Sequence, residues 1–554
     1  MIIRTSRLVC AAVVAALFVA GAARAATPRR EAPRAPIQIE LLYTSDVHGH
    51  IGRDEARFLS PEFPPMLGGG ASAATYIHRV RDEAAVDSHR VLLFDSGDLF
   101  QGSPLGAATK GGAVIEYMNR MRYDAIALGN HDFDMGRDNT ERLARMAAFP
   151  MLASNLFDST TNARPTWVRD RVMLDAQGVR VAVLGYITEQ TIEMSFERNV
   201  AGLEFRRIID VMPGDVAKAR ADGADLVIVL LHHGLPYRTE MEPAYRELVA
   251  REARGQLRRR GMGALELAHA VPGIDLILSG HTHQGYDEPW EDPVTHTIVC
   301  EPYANGSSLG HLTLRVDPVT RRLIGYETHF DRGALLTLSE DEVWPDSAEA
   351  RLIGAQTAEA ERGLDVVAGR TTVTLSNGPA ESALLGFVMA DAFREELNAD
   401  AAIQNTGGVR GTLEPGVITE RDLLEVSPFG NQMVLARVRG DMLRGLLEDK
   451  LRGSAGGLFV SGIRATFDLT RPEGQRILSL DVAGQPLDPT RIYAVATTDY
   501  LSEGNSGLDR LRQLAPEDVA PFGATDREVL SRYLRRHGEI SPVNDGRWQR
   551  VAAP

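Results

Sequence analysis

Five short apolar runs between residues 39 and 283 each end in a cluster of Asp, His or Asn, and this recurrence restricts the fold more than any other feature. Residues 41–45 lead into Asp46-Val47-His48, and residues 91–94 lead into Asp95-Ser96-Gly97-Asp98. Residues 125–128 lead into Gly129-Asn130-His131, residues 227–231 into His232-His233-Gly234, and residues 277–280 into His281-Thr282-His283. Any one cluster reads as a capped turn. Recurring at strand ends they point to a single place, because parallel strands of one sheet deliver their carboxyl ends to a common edge. Amphipathic stretches at 71–84 and 113–121 alternate with these runs, which predicts a layered α/β domain with helices outside a sheet or sheet pair.

The side chains at these ends are carboxylates, imidazoles and an amide carbonyl, a mixed N/O set suited to Zn, Mn, Fe or Co. Cysteine is absent from them, which excludes a structural thiolate zinc site. A carboxylate can bridge two cations, and Asp98, beside Gly97, is the natural candidate. Two metals ~3.5–4 Å apart can clamp an in-line displacement at phosphorus. The stretch Gly129 to Asp134 adds a candidate general acid, His131, and a candidate orienting carboxylate, Asp134, three residues on. Read alone, it is equally a turn closed by Asn and Gly. Neighbours on a strand point to opposite faces, so only one of His232 and His233 reaches the site. The other is expected in a second layer or in a buried hydrogen bond.

At 554 residues the chain should hold two or more domains. Its net charge of −15 argues against a nucleic-acid polymer as partner, since phosphate backbones are bound by basic stripes. Arg4 and Arg7 precede an apolar segment at 9–20 that closes on Ala23-Arg24-Ala25, the pattern of a secretory signal cleaved near Ala25. A periplasmic or secreted location follows, and no later stretch reaches the ~18 apolar residues of a membrane span. Cys10 leaves with that segment, so Cys300 has no partner for an internal disulfide. Domain limits are expected at 1–25 for the signal, 37–335 for the first domain, 346–362 for a linker helix and 366–550 for a second α/β domain. The sequence does not indicate an oligomeric state.

Together, Asp46-x-His48, Gly97-Asp98, Gly129-Asn130-His131-Asp132, His232-x-Gly234 and Gly280-His281-x-His283 resemble the calcineurin-like metallophosphatase superfamily. The longer strings at 96–104 and 129–134 resemble its secreted 5′-nucleotidase family. The resemblance implies a four-layer metallophosphatase sandwich followed by a nucleotide-binding α/β domain. It also implies two divalent metal ions, Zn, Mn or similar. One would be held by Asp46, His48, Asp98 and His283, the other by Asp98, Asn130, His232 and His281, with His131 and Asp134 as the catalytic pair. In the second domain Asn405-Thr406-Gly407-Gly408-Val409-Arg410 resembles the family's phosphate- and ribose-facing segment, with Asn405, Gly408 and Arg410 as substrate contacts. Phe429 and Tyr500 match its two nucleobase-stacking aromatics.

Two departures bear on substrate choice. Ser506 stands where the family has an Asp facing ribose. A helix expected from Glu381 carries Phe387 in place of Asn. The implied activity is hydrolysis of nucleoside 5′-monophosphates. The related alternatives are a 2′,3′-cyclic nucleotide phosphodiesterase, a UDP-sugar pyrophosphatase and a thiosulfohydrolase-like enzyme. Outside catalysis, the alternative is a periplasmic nucleotide-binding protein.

Overall fold

The computed structural model describes residues 35–56, 60, 63–257, 259–452 and 457–551. The signal segment expected at 1–25 lies outside the described residues.

Strand Ile37–Thr44 is buried on both faces, as a strand inside a layered fold must be. Ile39, Leu41 and Tyr43 enter one core, while Leu42 enters another. The strand pairs in parallel with Arg90–Asp95, from Ile39 opposite Arg90 to Thr44 opposite Asp95. Ala125–Ala127 and Met151–Leu152 extend the sheet in parallel. On the other side Ser308–Val316 pairs antiparallel and carries the returning strand Leu323–Thr328. A second sheet runs in the order Trp290–Glu291, Ile298–Cys300, Leu276–Ser279, Leu226–His232, Val179–Ile187 and Arg171–Ala176.

The two sheets face one another through a dry core in which Leu41, Tyr43, Leu92 and Phe94 share a cluster with Val181, Val183, Ile228, Leu230 and Leu278. Each such aliphatic side chain contributes about 1.5–3 kcal/mol on full burial, so the sheet pair is the stable platform of the region. Helices Gly69–Asp87 and Gly112–Met121 cover the first sheet, and Ile208–Ala221 and Ala264–Ala270 cover the second. The result is four layers, helix–sheet–sheet–helix. Strands ending at Thr44, Asp95, Ala127, His232 and Ser279 run parallel within their sheets and bring their carboxyl ends to one edge.

Helix Ser347–Ala360 follows, its first turn capped by the Asp346 side chain accepting from the Ala348 and Glu349 N–H groups. Glu349 is buried and held by a forked pair from Arg120 at 2.8–3.1 Å, which ties this helix to the first region. Beyond it a five-stranded sheet orders Leu458–Ser461, Ala401–Asn405, Ile492–Thr498, Gln432–Arg439 and Val519–Thr525. Helices Leu384–Glu396 and Asp526–His537 pack on its core. The helix expected from Glu381 starts instead at Leu384. The Pro379 carbonyl accepts from the Ser382 and Ala383 N–H groups, each at 3.0 Å, and this turn occupies the residues before the helix. Among the described residues no helix is long and apolar enough to cross a membrane.

Candidate active site at the strand ends

At the common edge the strand-end side chains form two groups of potential metal ligands, Asp46 with His48 and His283, and Asp98 with His232 and His281. Within each, one ligand atom per residue lies within 4.8 Å of the others. The Nε2 atoms of His48 and His283 are 3.0 Å apart, and His283 Nε2 is 3.5 Å from Asp46 Oδ1. Asp98 lies between the groups: its Oδ2 is 3.1 Å from His232 Nε2 and 3.8 Å from His48 Nε2. Asn130 Oδ1 is 3.1 Å from His232 Nε2.

Backbone strain is concentrated here. Asp46, His48, Asp98, His281 and His283 all have positive φ, between 49° and 77°, a region non-glycine residues seldom adopt. Strain of this kind persists only where its surroundings over-determine it, and they do. The Asp132 carboxylate accepts from the N–H groups of Gly129, Asp98 and Leu99 at 2.8–3.2 Å, fixing the loop that presents Asp98. Asp95 accepts from the Thr44 hydroxyl and the Gly97 N–H. His48 and His232 each direct Nδ1 at a backbone carbonyl, Gln101 at 2.6 Å and Ser96 at 2.8 Å, which leaves Nε2 free to face the centre. A Cβ at Gly129 would collide with the Asp98 carboxylate, and one at Gly280 with Ser45 and Asp46.

The electrostatics fit a divalent cation. Burial drives His48 down to about 3 and His281 well below the usual imidazole range, which keeps both in the neutral, ligating form. At His232 burial is outweighed by Asp98, and the imidazole is raised to about 10. Burial alone would raise Asp98, yet His232, His131 and His48 hold it well below the carboxylate range. These carboxylates therefore demand positive charge at this point.

His131 sits on the rim, with its Nδ1 2.7 Å from Asp134 Oδ2 and its backbone N–H donating to Asp98 Oδ1 at 2.8 Å. Burial opposes its charged form, but Asp134 and Asp98 raise its pKa nonetheless. A cavity of about 380 Å³ opens from Asp98, Asn130 and His131 toward the second region, where Asn405, Gly408, Arg410, Phe429, Tyr500 and Ser506 line it. Phe429 stacks on His131 at 5.6 Å and 19°. Arg410 is half-buried, and its buried Nε has no hydrogen-bond partner among the described residues. Asn405 donates to the Ser506 hydroxyl at 3.1 Å. His233, the residue after strand Leu226–His232, lies in a second layer behind His281 and makes no buried hydrogen bond: both its ring nitrogens lack a partner among the described residues, and the ring sits edge-on to His281 at 5.7 Å.

Residues that sequence reasoning missed include Met194, Ser195 and Phe196, which line the same cavity from the first region. Phe196 meets Tyr500 edge-on at 5.5 Å, and Arg198 pairs with Glu503 at 2.8 Å and Asp499 at 3.4 Å. They carry no motif, because their role depends only on the second region folding back over them.

The calcineurin-like phosphoesterase family model matches residues 39–285, and the 5′-nucleotidase C-terminal domain model matches residues 357–513. A snake venom 5′-nucleotidase of Naja atra is 26% identical over 92% of this chain and 98% of its own. The fold matches a 5′-nucleotidase precursor of Thermus thermophilus with a TM-score of 0.79, at 24% identity over 94% of this chain and 100% of that one. It also matches the sulfate thiohydrolase SoxB of the same organism with a TM-score of 0.74, at 20% identity over 94% of this chain and 98% of that one.

Proposed function

We propose, for a chain that belongs to the 5′-nucleotidase family of calcineurin-like phosphoesterases and is a metal-dependent phosphoester hydrolase, that it acts outside the cytoplasm on nucleoside 5′-monophosphates, releasing nucleoside and phosphate. The observation that carries this reading is Arg410, its buried Nε unpartnered, lining the same cavity as His131 and Asp98. A guanidinium N–H left unpartnered on a cavity wall is a site for an anion oxygen, which a phosphate supplies.

Two divalent cations are assigned to Asp46, His48, Asp98 and His283, and to Asp98, Asn130, His232 and His281. When bound they polarise the phosphoryl oxygens and lower the pKa of the attacking water. The protein's own groups do the rest. Arg410 orients the phosphate. Asp134 holds the His131 ring by Nδ1, so that Nε2 is left to donate a proton to the departing 5′-oxygen. Phe429 and Tyr500 offer aromatic faces for a base, which any nucleobase can use, and Asn405 and Gly408 border the sugar.

A panel of substrates with the purified, metal-loaded enzyme tests the assignment. Nucleoside 5′-monophosphates should be turned over in preference to 2′,3′-cyclic nucleotides, UDP-sugars and thiosulfonate-type sulfur compounds. Turnover of sulfur compounds without any phosphate ester would defeat it. Phe429→Ala should raise KM for nucleotides about tenfold, the scale of one base–aromatic stack, and leave KM for a phosphate ester without a base nearly unchanged.

Ser506 has a positive φ of 55°, a conformation in which Asp is well tolerated. Ser506→Asp should therefore fold normally and place a carboxylate beside Asn405. KM for AMP is expected to fall by roughly 10- to 100-fold, the value of one hydrogen bond to a charged group. An unchanged KM across the substrate panel would remove the idea that this position reads ribose.

A further inference from the structure

We propose that Glu40, His311 and His329 form a second, structural site for a divalent transition-metal ion of the zinc class, on the helix-facing side of the first sheet. Glu40 precedes Asp46 by six residues along one strand and its exit loop, which separates this site from the catalytic edge by roughly 20 Å of extended chain.

Three neighbouring strands supply the donors. Glu40 lies on Ile37–Thr44, His311 on Ser308–Val316, and His329 directly after Leu323–Thr328. Their ligand atoms lie within 4.8 Å of one another. His311 Nε2 is 3.1 Å and His329 Nε2 3.8 Å from the same oxygen, Glu40 Oε2. The two imidazoles are parallel within 5° and 3.7 Å apart, so the more exposed His329 ring must turn out of the stack for both in-plane nitrogen lone pairs to meet one ion.

The surroundings have the character of an outer ligand shell. The Tyr76 hydroxyl holds His311 by Nδ1 at 2.8 Å and leaves Nε2 for the centre, the usual way a ligating histidine is oriented. Thr313 Oγ1 donates to Glu40 at 2.6 Å and accepts from His329 Nε2 at 2.8 Å, a proton that an ion would displace. His89 Nδ1 lies 3.5 Å from the other Glu40 oxygen and helps hold that carboxylate. A cavity of about 490 Å³ opens over the cluster, bordered by Glu83, Asp87 and Glu327, with Arg79 drawn aside over the Tyr76 ring. Two imidazoles and one carboxylate, with water completing the shell, make a zinc-type donor set. An ion here would tie the first strand to the hairpin that closes the sheet, in a chain whose only described cysteine is a free, buried Cys300.

The test is a zinc titration against a chromophoric chelator, run on chelator-stripped protein carrying Asp98→Asn, which weakens the catalytic groups. That protein should bind one zinc equivalent and melt at a higher temperature when zinc is added. Adding His329→Ala or Glu40→Gln should weaken that binding by roughly 100-fold and abolish the thermal shift. His329 is partly exposed and Glu40→Gln keeps the side-chain shape, so both variants should fold. His329→Ala alone should leave phosphoesterase turnover within about twofold of normal, a change too small to register as a lost interaction. Equal zinc binding in all three proteins, or none in Asp98→Asn, would overturn the proposal and leave the cluster a hydrogen-bonded network only.

Discussion

Asp98→Asn is expected to abolish activity while leaving a folded protein. Turnover should fall on the order of 10⁴-fold, or about 5.5 kcal/mol at 1.36 kcal/mol per decade, and the metal content of the catalytic edge should fall with it. The geometry is the reason. Asp98 Oδ2 lies between His232 and His48, one from each candidate ligand group, and Oδ1 accepts the backbone N–H of His131. The amide keeps the shape but loses the charge that offsets cations at both places. It also weakens the bond that seats His131. Because Asp132 holds the Asp98 loop through three N–H groups, the backbone should stay in place. Metal analysis and steady-state kinetics on one preparation check this. A variant with full metal content and near-normal turnover would overturn the proposal that Asp98 serves both ligand groups.

Much of this site is legible in the sequence because its residues end strands. Parallel pairing makes strand ends converge, and the apolar runs before Asp46, Asp98, Asn130, His232 and His281 signal strands without reference to the rest of the chain. The same runs imply a layered α/β fold, since strands buried on both faces need cover on both, while the number of layers comes from the family resemblance.

Other parts depend on contacts that no local pattern encodes. The bond from Asp132 to Leu99 joins residues 33 apart. The contact of Arg198 with Glu503 spans 305 residues, and that of His311 with Glu40 spans 271. Glu40 and His311 each sit in a strand where a lone polar residue reads as a half-exposed position. Only the register between the first strand and the returning one reveals that they meet. The start of helix Leu384–Glu396 escapes a local reading for a related reason: the turn at Pro379 competes with the helix, and its hydrogen bonds decide the boundary.

His131→Gln separates chemistry from metal binding. No candidate ligand atom belongs to His131, so metal content should match that of the unaltered protein. Turnover of a nucleoside 5′-monophosphate should nevertheless fall by about 10²- to 10⁴-fold, the range for losing a positioned general acid. Asp134→Asn should cost less, because an amide oxygen can still accept from Nδ1 at the present 2.7 Å while the charge that favours imidazolium is lost. The choice of leaving group distinguishes proton donation from a merely structural role. A ribose 5′-oxygen departs as a poor, strongly basic group and needs the proton. An aryl phosphate departs as a stable phenolate and does not. His131→Gln should therefore slow aryl phosphate hydrolysis far less than AMP hydrolysis. If both substrates lose the same factor, His131 is shaping the site or stabilising phosphoryl charge, and the proton delivered to the leaving oxygen comes from elsewhere.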